Sequence, residues 1–244
     1  FGICCEVKSS NYIWVDSIGR RYCDETSQFN PHGGWRLHAL YDFGTVGFSR
    51  IPSYIICDET GQSAGSFGQI GGGIALDHGG WRWGRLITPP ELGGWEGWSM
   101  DNKTEIEKGW VKKGNTIEEL AAAIGGAMDP ALLRKSIETY NRYCVSGDDP
   151  DFGRDSKKLA TIETPPYYSL PLYPGLVCTG GGPRKNARGQ AVDVDGNPIP
   201  RLYSAGNCGS VYGHTYSVTG GNLGELAAFG RISGRNAAAE RPWT

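Results

Sequence analysis

The sequence predicts an α/β fold preceded by an α+β part, and three observations carry that expectation. A short β-prone run from Arg201 to Ala205, expected to be buried, meets a glycine turn at Gly206, a polar loop holding His214 and Tyr216, and a helix that opens at Gly220-Gly221-Asn222. Two more helices are marked by their caps: Thr116 and Glu119 have capping-box spacing, and Asp129-Pro130 offers an N-cap followed by a first-turn proline. Several short apolar runs bounded by Gly and Pro read as strands.

At 244 residues the chain suits one or two domains. Its 38 glycines and 14 prolines make it loop-rich, while 8 Trp and 12 Tyr argue against disorder because such rings are normally buried or used in binding. A net charge of -2 gives no basic field, so the sequence disfavours nucleic acid as a partner and favours a small-molecule substrate. There is no bilayer-spanning run. Seven cysteines without paired spacing point to free thiols and a reducing, cytoplasmic compartment, and no residue set has metal-ligand spacing. The opening Phe1-Gly-Ile-Cys-Cys5 reads as the middle of a domain, so a longer protein is expected.

In chain order, Tyr12 to Asp16 and Arg21 to Glu25 read as a hairpin around a glycine turn, followed by a loop through Asn30 to Gly34 and a short helix near Leu37 to Phe43. Tyr54 to Asp58 is a compact strand. Residues 61–100 hold Trp81, Trp83, Trp95 and Trp98, which either pave a cleft for a flat apolar ligand or form the core of an irregular lobe. Regular structure returns at Ile106 to Val111. A helix from Thr116 runs to Ile124, and the helix after Pro130 presents Leu133, Ile137, Tyr140 and Cys144 on one face. The carboxylates of Ser146 to Pro150 are expected in water, since their spacing fits no calcium loop. Strands follow after Pro165-Pro166 and on either side of the turn Asp195 to Pro198. The last helix offers Leu226, Phe229 or Gly230, Ser233 and Ala237 as a small apolar face for packing on a sheet. Its N-terminus, with unpaired N–H groups and a positive dipole end, is expected to meet an electron-rich atom.

The order of local strings is more specific than any one of them. Gly19-Arg-Arg-Tyr-Cys-Asp-Glu25, Ile55-Ile-Cys-Asp58, Lys108-Gly-Trp-Val111, Tyr140-Asn-Arg-Tyr143, Gly147 to Arg154, Pro165-Pro-Tyr-Tyr168, Thr179-Gly-Gly181, Asp195 to Pro200 and Leu202 to Asn207 succeed one another, ending in Phe229-Gly-Arg-Ile-Ser-Gly-Arg235. In this order the chain resembles the second half of the flavoproteins of the fumarate reductase and 3-ketosteroid dehydrogenase superfamily. The resemblance implies a capping substrate domain at residues 1–164 and, at 165–244, the C-terminal part of a Rossmann-like FAD-binding domain. The dinucleotide fingerprint is absent, so an N-terminal dinucleotide-binding half is expected from the same precursor or a separate chain.

By the same resemblance FAD is bound non-covalently, with Thr179 and Gly180 approaching the ring and Ala205, Gly206 and Asn207 along the ribityl and flavin region. Gly221, Asn222 and Leu223 bring helix N–H groups to the flavin's pyrimidine edge. Cys178 and Val218 stand where fumarate reductases place a His and an Arg, and neither can clamp a dicarboxylate. The segment from Gly213 to Gly220 is instead similar to the ketosteroid dehydrogenase type. There a Tyr hydroxyl and a glycine N–H, here Tyr216 and Gly220, bind a substrate carbonyl as an oxyanion hole. The implied reaction is hydride transfer between flavin N5 and a C–C or C=C bond next to a carbonyl of an apolar, steroid-like or polycyclic substrate. A fumarate- or urocanate-type enoate reductase and a non-catalytic binding or assembly module are the alternatives. Tyr216 could also be a packed ring, with His214 or Tyr212 as the next candidate on its loop. The family's tyrosine base is replaced by Phe29, which leaves His32, His38 and Tyr41 as candidates, His32 foremost.

Overall fold

In a computed structural model, residues 7–26, 35–44, 46–68, 98–174, 180–209, 211 and 221–242 are described. Successive residues of a strand point to opposite faces, and in β1 (Tyr12–Val15) both faces are buried. Tyr12 and Trp14 enter one apolar cluster with Ile55, Cys57, Phe67, Trp98, Tyr168 and Leu170. Ile13 and Val15 enter the other, with Ile56 and a layer of helix residues. A strand buried on both sides reads as a continuous apolar run, which is why this one was legible.

The strands β1, β2 (Ser53–Cys57), β3 (Lys112–Gly114) and β4 (Tyr167–Leu172) form one antiparallel sheet in the order β1-β2-β4-β3. The hairpin expected after β1 is only half realised: Val15 and Arg21 make an isolated bridge, and the full partner of β1 is β2. The turn itself is present, with Gly19 at φ +100°. Beyond it the chain leaves the ladder, because the Glu25 carboxylate, not a backbone carbonyl, accepts the Trp14 N–H at 3.1 Å.

Helix α1 is a single turn, Trp35–His38, shorter than the expected run to Phe43. After β2, Asp58 caps α2 (Glu59–Ser63) by accepting from Gly61 N at 3.0 Å. Asp58 Oδ2 accepts from the N–H groups of Glu163 and Thr164, tying this end of the sheet to the segment before β4. Helix α3 (Lys103–Glu107) and then β3 occupy the region expected to regain order at Ile106.

Helices α4 (Ile117–Ile124) and α5 (Pro130–Ser146) begin where their caps predict. Thr116 accepts from Glu119 N at 3.1 Å, and Glu119 reaches back to Asn115 N at 2.8 Å. A Cβ on Gly114 would overlap the backbone of Leu120, so only glycine lets β3 lie this close to α4. The buried face of α5 is Leu133, Ile137 and Tyr140, with Cys144 packed at its margin. Asp129 accepts from Ala131 N at 2.8 Å and Leu132 N at 3.2 Å. Asp129→Ala should therefore lower the unfolding free energy by about 1 kcal/mol in urea denaturation, with an unchanged dependence on denaturant.

The chain divides into two compact units, Phe1–Gly175 and Leu176–Thr244, and β4 is hydrogen-bonded within the first. The second unit holds an antiparallel pair, β5 (Gln190–Val192) and β6 (Pro198–Tyr203), and the helix α6 (Gly221–Ala238). Two expectations need correction here. The strand leading to Gly206 starts at Pro198 and is largely exposed, with Leu202 at 46%. Of the expected α6 face Phe229 and Ser233 pack, but Leu226 and Ala237 are exposed, and Glu225 and Asn236 complete the packed face. Ser233 meets Gly189, where a Cβ would collide with its hydroxyl, and Asn236 Nδ2 donates to Arg188 O at 3.0 Å. Among the described residues no helix is long and apolar enough to cross a membrane.

Candidate functional site

In the second unit the backbone draws two glycine-bearing segments together. Gly181 and Cys208 form a parallel bridge, and Gly209 N–H donates to Gly181 O. Gly181 and Gly182 have φ of +134° and +98°, and a Cβ on Gly182 would collide with Gly209 N. Side chains are excluded from this crossing, which leaves bare backbone beside Gly180. Gly206, at φ +66°, faces Leu226 on the second turn of α6. Gly180 adjoins this crossing, Ala205, Gly206 and Asn207 lead into it, and Gly206 meets α6 at Leu226, one turn beyond the opening residues Gly221, Asn222 and Leu223. Thr179, His32, His214, Tyr216 and Gly220 lie outside the described residues, as do Phe29, Cys178, Val218, Trp81, Trp83 and Trp95.

The chemistry of this neighbourhood can be tested against a flavin. Asn207 Oδ1 is buried and has no hydrogen-bond partner among the described residues. An acceptor in that state loses free energy until a donor arrives. FAD brings hydroxyl donors on its ribityl chain and electron-rich atoms on its pyrimidine edge, which suit the positive end of an 18-residue helix. The residues present fit the group. Behind them Lys185 donates to Glu225 Oε1, and both side chains are almost wholly buried.

The first unit holds two polar clusters that the sequence reading did not see. Arg21 makes paired bonds to Glu25 (2.8 and 3.0 Å) and to Asp149 (3.0 and 2.8 Å). Arg154 donates to Glu25 at 3.2 Å and to the carbonyls of Tyr12 and Ser10 at 2.7 and 2.9 Å. Asp149, expected in water with its neighbours, is 2% exposed, because two guanidinium groups from the hairpin turn and the loop need a second carboxylate to balance them. A pair of opposite charges four residues apart in a β-prone run, Arg21 and Glu25, was the available signal.

The other cluster surrounds His38, which is 5% exposed. Ser53 Oγ lies 2.9 Å from its Nε2, Tyr22 donates to the same hydroxyl at 3.0 Å, and the Arg50 guanidinium sits 4.8 Å over the Tyr22 ring. Burial pushes the Tyr22 hydroxyl far above its ordinary value, against the opposing pull of its bond to Ser53, so it stays protonated. Tyr41, the other candidate near this segment, is 44% exposed and stacks edge-on with Phe43 and Phe48. Burial likewise holds the thiols of Cys23 and Cys57 protonated and unreactive. Among the described residues no cluster of His, Cys, Asp or Glu could hold a metal ion.

Comparison with known proteins identifies the family. Digoxin reductase of Eggerthella lenta is 40% identical over 131 residues, 53% of this chain and 23% of that protein. Vinyl phenol reductase of Lactiplantibacillus plantarum is 32% identical over 230 residues, 93% of this chain and 42% of that protein. The crystal structure of 3-ketosteroid delta1-dehydrogenase from Sterolibacterium denitrificans, in complex with 1,4-androstadiene-3,17-dione, matches 98% of this chain and 41% of its own at a TM-score of 0.71 and 25% identity. The chain thus spans less than half the length of the relatives it matches. The family model described as FAD binding domain matches residues 10–223, which include the glycine crossing, Asn207 and the first residues of α6, and the chain belongs to that family.

Proposed function

We propose that the protein carrying this chain is an FAD-dependent oxidoreductase acting at a C–C or C=C bond next to a carbonyl in an apolar, steroid-like or polycyclic substrate. The observation that carries the reading is the likeness, over nearly the whole chain, to a ketosteroid dehydrogenase structure that holds a dienedione. FAD, when bound, supplies the acceptor or donor of a hydride. The chain's own residues do the rest. Tyr216 O–H and Gly220 N–H are the donors assigned to the substrate carbonyl, where they would stabilise the enolate charge that develops. The start of α6 sets its dipole toward the cofactor's electron-rich edge, with Gly221, Asn222 and Leu223 presenting backbone. Thr179 and Gly180 would hold the ring, and Ala205, Gly206 and Asn207 would hold the ribityl chain. His32 moves the proton that a tyrosine moves in the ketosteroid enzymes, and His214 lies on the oxyanion loop.

The partners that follow are a small-molecule substrate and an N-terminal dinucleotide-binding half, since the residues above reach only the flavin end of the cofactor. Unpaired cysteines at 23, 57, 144 and 208 support a reducing, cytoplasmic setting. Neither His nor Cys of this chain occupies a recognised attachment position, which supports a non-covalently held cofactor. Acid precipitation of the full-length yellow protein should leave FAD in the supernatant; flavin that stays with the polypeptide would overturn this.

A further inference from the structure

A buried carboxylate needs donors on both oxygens, and Glu225 has them on one. Its side chain is 2% exposed and that of Lys185 3%. Lys185 donates to Oε1, while Oε2 is buried with no hydrogen-bond partner among the described residues. The Lys185 ammonium also lies 3.9 Å from the centroid of Phe229, one turn further along α6, so it is held against the helix at two points. Side chains on a helix lean toward its N-terminus. From position 225 the carboxylate therefore lies over the opening turn that starts at Gly221.

Asn207 Oδ1 has the same deficit, and its neighbour Gly206 faces Leu226, the residue after Glu225. Two buried acceptors without donors among the described residues, on or beside the first turns of one helix, select a ligand that presents O–H groups. A bare anion would bring only acceptors and would meet a carboxylate. A polyol answers both oxygens at once, and its phosphate or ring neighbours can use the helix dipole.

Resting on the flavoprotein reading above, we infer that the Lys185–Glu225 pair is part of the cofactor site. Lys185 neutralises and orients the carboxylate, and Glu225 Oε2 accepts a hydrogen bond from a hydroxyl of the polyol chain that joins the flavin ring to the phosphates. Lys185 is then a positioning residue, acting only through Glu225. Without the ligand the pair is neutral but under-bonded, a poor arrangement for stability alone.

The test is the affinity of the full-length apo-protein for FAD, followed by quenching of flavin fluorescence, with thermal unfolding of each apo-variant as the control for folding. In Glu225→Gln the ammonium of Lys185 holds the amide oxygen, so the –NH2 group replaces the ligand-facing acceptor. FAD binding should weaken at least about tenfold, the loss expected of one charge-assisted hydrogen bond. The variant Lys185→Met/Glu225→Met keeps the packing without either charge and should show the same loss. Variants that unfold like the wild type and bind FAD as tightly overturn the inference and leave the flavoprotein reading intact. A wild-type apo-protein that takes up no FAD overturns both.

Discussion

Glu25→Ala should lower the unfolding free energy by about 3–5 kcal/mol, the largest effect expected of any single substitution among the described residues. The carboxylate is fully buried and accepts from Arg21, Arg154 and the Trp14 N–H. Its removal leaves Arg21 with Asp149 alone and Arg154 with no carboxylate partner, only the Tyr12 and Ser10 carbonyls, in a place where the Tyr12 and Tyr140 rings, not water, face Arg154. It also cuts the bond that closes β1 after its return limb leaves the ladder. Asp148→Ala, at an exposed neighbour of the same network, should change stability by less than about 0.5 kcal/mol. Equal effects of the two substitutions in urea denaturation would show that the network is not a unit.

The same network fixes the acid limb of stability. Burial pushes the Asp149 carboxyl up, but the Arg21 bonds and charge and the backbone N–H of Arg154 together hold it below its ordinary value of 3.8. A group depressed in the folded state contributes its full stability above its unfolded value and loses it as pH falls through the folded one. The Asp149 contribution should thus be constant at neutral pH and fade only in stronger acid than free aspartate requires.

Tyr216→Phe should reduce turnover at least about tenfold, and by as much as a hundred- to a thousand-fold if the hydroxyl carries an ordinary share of the oxyanion hole. The reasoning is local. A hydroxyl and a backbone donor four residues apart on one loop can meet at a single oxygen, and α6 begins immediately after Gly220 at Gly221. On the proposed reading one short stretch would build both the oxyanion hole and the cofactor's electrostatic support. The substitution removes only the hydroxyl, so FAD content and unfolding temperature should stay at their wild-type values. Wild-type turnover would make Tyr216 a packed ring, and His214 or Tyr212 would be tested next.

What the sequence made legible follows from where the physics is local. Caps such as Thr116 and Asp129 act within three residues, so α4 and α5 were placed correctly at their first turns. The continuous apolar runs Tyr12–Val15 and Ser53–Cys57 signalled strands because both their faces are covered. Pairing was not legible: β1 joins a strand some forty residues on, and a side chain does work usually done by a backbone carbonyl. Asp149 was misjudged because its partner Arg21 lies 128 positions away. At the cofactor side the turn at Gly206 was legible and is present at φ +66°, whereas the close crossing of Gly181 and Gly182 with Cys208 and Gly209 was not, since it joins segments some 27 residues apart. Lys185 and Glu225 carried no signal, since a lone Lys in a turn and a lone Glu near a helix start ordinarily face water. The face of α6 was misread for the same reason, with Glu225 buried where Leu226 was expected.

The most direct test of the proposed chemistry is anaerobic reoxidation of the bound flavin. The full-length protein is reduced with dithionite until its yellow absorbance is lost, and then mixed separately with a cyclic enone steroid and with fumarate. Rapid return of the yellow colour with the enone, much slower or absent with fumarate, is the result expected from Tyr216 and Gly220 acting on a carbonyl with Cys178 and Val218 in place of a dicarboxylate clamp. A protein that carries no flavin, or one whose flavin is reoxidised by fumarate and not by the enone, would contradict the account.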